Sequence, residues 1–327
     1  MEGITGMVLF GNGNVKSCAE LVEAYRTKEN KPQPAQAEKL LFDGVEGRDV
    51  YNISAPFEDE GEPVIAGRVE NRDSEVSEIH FFVRREERWT PRDGAPVFAL
   101  QDPFLTRISG ELVFGGVETF PHPSEEGKVS WRTVFYKGPS LANLEQFFRG
   151  PDQMKDLRLV ELSDGTIGVF TRPQGEKGGR GKIGFARVNA LSELTVEAVL
   201  EAPLLEQFRD EEWGGCNEIH VLSNGKLGVL GHIARFDEQG DRHYYPMVFV
   251  YDPANGTYSD MEIIAERADF LEGPSKRPDL ADVVFSGGLV RGEGGKAELY
   301  AGVSDAEAQK LKIDDPFAGY ENEANQP

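Results

Sequence analysis

Beyond residue 49 the chain runs as short apolar stretches broken by glycine, asparagine and aspartate, the texture of β-strands joined by tight turns. Residues 157–162 and 166–170 flank Ser163-Asp164-Gly165, an Asp-Gly turn of the kind that closes hairpins. A third run over 182–187 follows a stretch whose glycine content predicts a non-helical loop. Earlier, residues 16–30 place Ala19, Leu21, Val22 and Tyr25 at helical spacing, and a proline-broken linker follows at 31–36. Residues 204–212 predict a short helix. The acidic stretch 312–327 predicts a surface tail.

The β region repeats itself. Asp102 opens a unit that turns at Gly110, Asp156 one that turns at Gly165, and Asn217 one that turns at Gly225. Each unit is a polar residue, an apolar strand, a glycine turn and a second apolar strand. Looser copies cover 65–84 and 282–305. The three clear units start at 102, 156 and 217, so five fit between residues 49 and 311. The expectation is an all-β protein, a five-bladed β-propeller with a short N-terminal helical segment. A stacked sandwich is the alternative. The chain then reads as one domain over 1–327: an extension with the helix at 1–48, blades at 49–311 and a tail at 312–327. In a propeller the innermost strands start near the axis, which would gather Asp102, Asp156, Asn217 and Asp282 at one end of the channel. Arg158, Arg172, Lys182 and His232 lie nearby in sequence, and together these suit a polyhydroxylated, partly anionic ligand.

Charge sharpens that picture. Lys and Arg total 35 against 57 Asp and Glu, a net charge of −22, which disfavours nucleic acid and anionic lipid as partners. Against that field Lys155, Arg158, Arg172, Lys177, Arg180 and Lys182 are concentrated around Asp156. They read either as a local anion site or as a solvated basic face. No apolar run reaches the roughly 20 residues of a spanning helix. The first residues, MEGITGMVLF, lack the basic and cleavage features of a signal peptide. Two cysteines, Cys18 and Cys216, make no disulfide framework. A cytoplasmic protein is expected, in which the sequons at Asn52 and Asn255 carry no meaning.

Familiar motifs are absent or broken. Gly175–Lys182 has one residue too many for a phosphate-binding P-loop, and Ile183 stands where Ser or Thr would hold magnesium. The Gly-x-Gly of residues 9–14 lacks a third glycine and a βαβ frame. Cys216 and His220 are too few ligands for a metal site, so none is expected. Taken singly, Asp102 in Gln-Asp-Pro-Phe reads as a strand-start turn, and Glu70, Glu118 and Glu218 as structural or solvated. His220 and His232 read singly as core histidines. Trp213 and the Tyr244-Tyr245 pair suit either sugar stacking or packing between blades.

Several longer motifs carry a resemblance. They are MKDLRLVEL-x-DG, FTRPQG, GGRGKIGF, NEIHVL-x-NG, GVLGHIA and DLADVVFSGGLVR. From Ala66 to Phe317 the chain resembles a bacterial and protozoan propeller family that includes β-1,2-mannosyltransferase/phosphorylases, related to the five-bladed mannoside phosphorylases. The resemblance implies an inverting reaction with phosphate as co-substrate and no other cofactor. A β-mannoside would be cleaved to α-mannose 1-phosphate, or made from it or from nucleotide-activated mannose. The substrates implied are thus an oligosaccharide or mannose 1-phosphate. Asp102 matches the family's Asp-Pro context and is the expected catalytic residue. Arg158, Arg172, Lys182 and His232 are expected to bind phosphate. Glu70, Asp156 and Asp305, with Asn217, Glu218, His220 and Asp282 from the repeat, are expected to bind sugar. An inverting hydrolase, with Glu70, Glu218 or Asp282 activating water, and a non-catalytic binding propeller are the other readings.

Overall fold

The computed structural model describes residues 15–322. The N-terminal decapeptide and the Gly-x-Gly lie outside the described residues. The chain is mostly β, laid down as successive antiparallel sheets. The first holds Asp49–Tyr51, Phe57–Asp59, Glu62–Glu70, Ser77–Arg85 and Arg88–Pro91. The second holds Gln101–Ile108, Glu111–Pro121, Val129–Gly138 and Glu145–Arg149, and the third Arg158–Glu161, Ile167–Thr171 and Gly184–Val188. Trp213–Val221, Leu227–Phe236 and Arg242–Asp252 form the fourth group, extended by Thr257–Tyr258 and Glu262–Ile263. The fifth group is Asp282–Arg291, Lys296–Val303 and Glu307–Asp314. Ala37–Lys39, from the expected extension, pairs with Glu307–Asp314 as its outer strand. A short parallel pairing of His243 with Asp282 and Tyr244 with Val283 joins the fourth and fifth groups into one sheet.

The first strand of each hairpin unit packs on its counterpart in the next sheet. Five hydrophobic clusters fill the spaces between. Phe81 and Phe114 meet between the first and second sheets, and Phe104, Leu159 and Val169 between the second and third. Phe170, Val229 and Phe249 join the third and fourth, and Leu230, Val284 and Leu299 the fourth and fifth. Ile53, Ile65 and Tyr300 bring the fifth against the first. At that last seam a Cβ on Gly287 would stand 1.5 Å from the Ile53 carbonyl oxygen, so only glycine permits the approach.

Three details depart from the sequence expectation. Residues 204–212 form no helix; the helix in that region is Val196–Glu201, where the Thr195 side chain accepts from the Ala198 amide. It packs on the three-stranded third sheet. Gly175–Gly178 makes one helical turn inside the loop expected to be non-helical. The last strand runs to Asp314, and Phe317 is fully buried against Gly228, so residues 312–317 of the expected tail are part of the packed structure. The N-terminal helix spans Cys18–Arg26, its Ser17 and Glu20 forming a capping box. It buries Cys18, Leu21, Val22 and Tyr25 but leaves Ala19 exposed.

Candidate active site

Where the repeat units begin, the backbone leaves regular strand geometry. Asp102 sits in a bulge between Gln101 and Phe104 with φ +50°, and Asp156, just ahead of its strand, has φ +60°. Such left-handed conformations are costly for non-glycine residues and recur at functional sites. Asn217 and Gly287 occupy bulges of the fourth and fifth groups. These irregular positions turn side chains that a straight strand would have sent into a sheet face.

Asp102 is 3% exposed. Its Oδ1 accepts from Asn52 Nδ2 at 2.8 Å and from Arg68 Nη1 at 3.2 Å. Burial alone would raise its pKa, but Arg68, Lys155 and the Asn52 hydrogen bond hold it below the ordinary carboxylate value. Arg68 also donates to Glu70, at 2.9 Å from Nη2, and lies over the Tyr51 ring. Glu70 is saturated: Tyr51, Ser77 and Lys276 all donate to it as well. Asp305 has φ +50° and sits in the same charge field. Burial raises it to about 6, against the pull of Arg68 and with a further push from Asp102.

A second cluster surrounds Asp156, which is 1% exposed and lies 3.3 Å from Arg172 Nη1 and 3.6 Å from Arg158 Nη2. Burial opposes its charge, yet Arg172, Lys155 and Arg158 bring it down to about 2. Arg172 is fixed by the Gly214 carbonyl at 2.8 Å. A Cβ at Gly215 would stand 2.8 Å from the Arg172 side chain, so glycine makes its seat. Arg158 donates to the Asn217 and Leu157 carbonyls and lies over Phe104. His232 Nδ1 meets Asn217 Oδ1 at 2.9 Å, and Ser286 shares that oxygen. Although charge-paired, both Asp156 oxygens and Arg172 Nη1 lack hydrogen-bond partners, as does Asn217 Nδ2. Buried groups left this way are poised for a polar guest.

Over these clusters lies a cavity of about 1130 Å³. Its charged lining includes Lys155, Arg172 and Arg180; Gln101, Gln153 and Gln174 add polar groups, and Trp131, Trp213, Phe236 and Tyr244 the aromatic walls. Arg180 stacks over Phe236 at 5.0 Å and Trp213 at 5.8 Å.

The structure gathers Asp102, Glu70, Asp305, Asp156, Arg158, Arg172, Asn217 and His232 in these two clusters. It sends four expected residues elsewhere. Lys182 pairs at 3.0 Å with the exposed Asp210 and does not line the cavity. Glu218 bonds His220 and the Leu289 amide, latching the fourth group to the fifth. His220 packs on Phe317. Asp282 accepts from His243 and Tyr245, because the bulge of its strand lies at Ser286–Gly288, further along than the repeat suggested. His232 is in place but is no cation: burial pushes it down to about 3. Lys177 donates to the Leu200 and Ala202 carbonyls at the end of a helix. Tyr245 is buried, while Tyr244 faces the cavity. No group of three or more metal-ligating side chains forms among the described residues.

Sequence reasoning missed Arg68, Asn52 and Lys276 as site residues and named Lys155 only within the basic cluster. Two signals were available: Lys155 directly precedes Asp156, and Arg68 shares a strand face with Glu70 two residues on. Asn52 and Lys276 arrive from loops and left no such mark.

Residues 26–319 match a protein family described as "Protein of unknown function (DUF1861)". The chain belongs to this family. No curated protein matches it. Among solved structures, this DUF1861 member is similar to MPT-4, a mannose phosphorylase from Leishmania mexicana in complex with phosphate ion. The identity is 35%, over 91% of this chain and 93% of that one, with a TM-score of 0.83. It is similar to MPT-1, a GDP-Man-dependent mannosyltransferase from the same organism, at 33% identity over 93% and 96%, also at 0.83. The β-1,2-mannobiose phosphorylase from Listeria innocua shares the fold at 15% identity, over 90% of this chain and 95% of that one, with a TM-score of 0.62. No helix among the described residues is long and apolar enough to cross a membrane.

Proposed function

We propose that this DUF1861 chain is an inverting mannoside phosphorylase/mannosyltransferase built on a five-bladed β-propeller, its five sheet groups serving as blades. One domain spanning the chain, a cytoplasmic setting, and phosphate as co-substrate without another cofactor belong to the same reading. The observation that carries it is the buried Arg172, whose Nη1 faces Asp156 but makes no hydrogen bond, lining one cavity with Lys155, whose charge also acts on the ionised Asp102. Likeness to a mannose phosphorylase at 35% identity supports the substrate class.

In phosphorolysis a phosphate oxygen attacks the anomeric carbon from the face opposite the leaving group, and that centre inverts. The glycosidic C–O bond breaks, and Asp102, protonated for this direction, gives its proton to the departing oxygen. The products are α-mannose 1-phosphate and a shortened mannoside. In synthesis Asp102 takes the acceptor hydroxyl proton as phosphate leaves, and its ionised resting state suits that direction. Lys155 and Arg172 hold the phosphate, with the Asp156–Arg158 pair beneath them setting Arg172 in place. Arg offers phosphate a bidentate grip, and fixed cations stabilise the charge developing on it. Glu70, its oxygens saturated by Arg68, Lys276, Tyr51 and Ser77, shapes the sugar pocket rather than activating water.

Incubation with α-mannose 1-phosphate and mannose should release inorganic phosphate. Free mannose released from a β-1,2-mannobiose without phosphate would mean a hydrolase instead. Binding without turnover in either direction would leave a non-catalytic propeller.

A further inference from the structure

Asn52 is in none of the expected roles, yet its geometry is unusual on three counts. It is 5% exposed, its φ is +44°, and its Oδ1 has no hydrogen-bond partner. A carboxylate can only accept, so the amide must turn Nδ2 towards Asp102, and that orientation strands Oδ1. The fold makes room for this arrangement from the far side. A Cβ on Gly302 would stand 2.1 Å from Asn52 Oδ1 and 2.5 Å from its backbone nitrogen. A strained backbone, an orphaned acceptor and a glycine cradle are unfavourable together for stability, and all three serve one hydrogen bond.

We propose that Asn52 is a positioning residue for the proton-transferring carboxylate. Together with Arg68 it occupies Asp102 Oδ1, fixes the carboxylate plane, and leaves Oδ2 as the oxygen that exchanges the proton. Both of these side-chain hydrogen bonds fall on Oδ1. This rests on the assignment of Asp102 as the general acid/base above. The charged groups acting on Asp102 come from several elements. Arg68 belongs to the first sheet; Lys155, Asp156 and Arg158 to the third sheet and its approach; Asp305 to the fifth. Asn52 is the neutral donor among them, so its removal changes a hydrogen bond without changing net charge.

The test is the pH profile of kcat/KM, measured in both directions for wild type and Asn52→Gly. Glycine accepts φ +44° without strain, so the backbone stays in place while the amide is lost. A carboxylate deprived of a donor is harder to ionise. The acid limb of synthesis and the basic limb of phosphorolysis should therefore both move up, by about one pH unit. kcat should fall about tenfold while KM for phosphate stays within about twofold. A profile superimposable on wild type after scaling, whatever the loss of kcat, overturns the proposal and leaves Asn52 a structural residue. Should Asn52→Gly fail to fold, Asn52→Asp keeps the shape and replaces the donor by a like charge. It should shift both limbs further upward, and an unshifted profile again overturns the idea. Turnover surviving in Asp102→Asn would instead remove the catalytic assignment itself. An inactive Asp102→Asn with an unshifted Asn52→Gly would remove only this inference.

Discussion

Asp156 and Arg172 face each other at 3.3 Å beneath the cavity, each no more than 2% exposed, and the cationic partner also lines the cavity. A pair so buried is stable only while both charges are present, because each alone carries a large desolvation cost. Asp156→Asn leaves Arg172 and Arg158 without their shared carboxylate and should cost about 3–5 kcal/mol of stability. Urea unfolding at neutral pH measures this directly. Unchanged stability would show that the two arginines find another counter-charge.

The two lysines separate by surroundings. Lys155 lines the cavity and has no carboxylate within ion-pair distance among the described residues, whereas Lys182 holds the exposed Asp210. Losing a charge-assisted hydrogen bond to phosphate costs about 1.5–3 kcal/mol. Lys155→Ala should therefore raise the KM for phosphate about 10–100-fold. An exposed pair is worth about 0–1 kcal/mol, so Lys182→Ala should change little. Initial rates at varied phosphate decide between them, and equal effects would mean that the loop rearranges around the anion.

Acid stability should bear the signature of His232. Its pKa falls from 6.5 to about 3 on folding, chiefly through burial. The unfolded chain therefore binds a proton that the folded chain refuses. This contribution is complete above pH 6.5 and is lost progressively as pH falls towards 3, at up to about 1.4 kcal/mol per unit. Asp305 works in the opposite sense over part of this window. Raised to about 6, it favours the fold below 3.8 and loses that advantage as pH rises through 6. The difference between wild type and His232→Gln isolates the histidine: the variant's stability should fall less steeply between pH 6 and 4. Parallel curves would mean that His232 protonates within the fold.

The seam between the fifth group and the first rests on a missing side chain. A Cβ at Gly287 would stand 1.5 Å from the Ile53 carbonyl oxygen, a backbone atom with little freedom to yield. Gly319 meets nothing within 4 Å and serves as the control. Gly287→Ala should lower the thermal midpoint strongly and Gly319→Ala hardly at all, by calorimetry. A neutral Gly287→Ala would mean that the seam opens without cost.

The sequence by itself determined the strands, their turns and the N-terminal helix. Apolar alternation, Asp-Gly or Asn-Gly turns and capping residues act over a few neighbouring positions. It also marked Asp102, Asp156 and Asn217, because the repeat placed a polar residue where an apolar strand begins. Tertiary structure decided which of the clustered cations faces the cavity. Lys155, Lys177, Arg180 and Lys182 all lie in or beside loops, where strand alternation fixes no direction. It decided as well that Asp282 stays outside the site, since a bulge shifts the inward position to Ser286–Gly288. The Asn52–Asp102 hydrogen bond spans 50 residues and two sheets. Neither residue signals the other in sequence; packing of the sheets against one another brings them together.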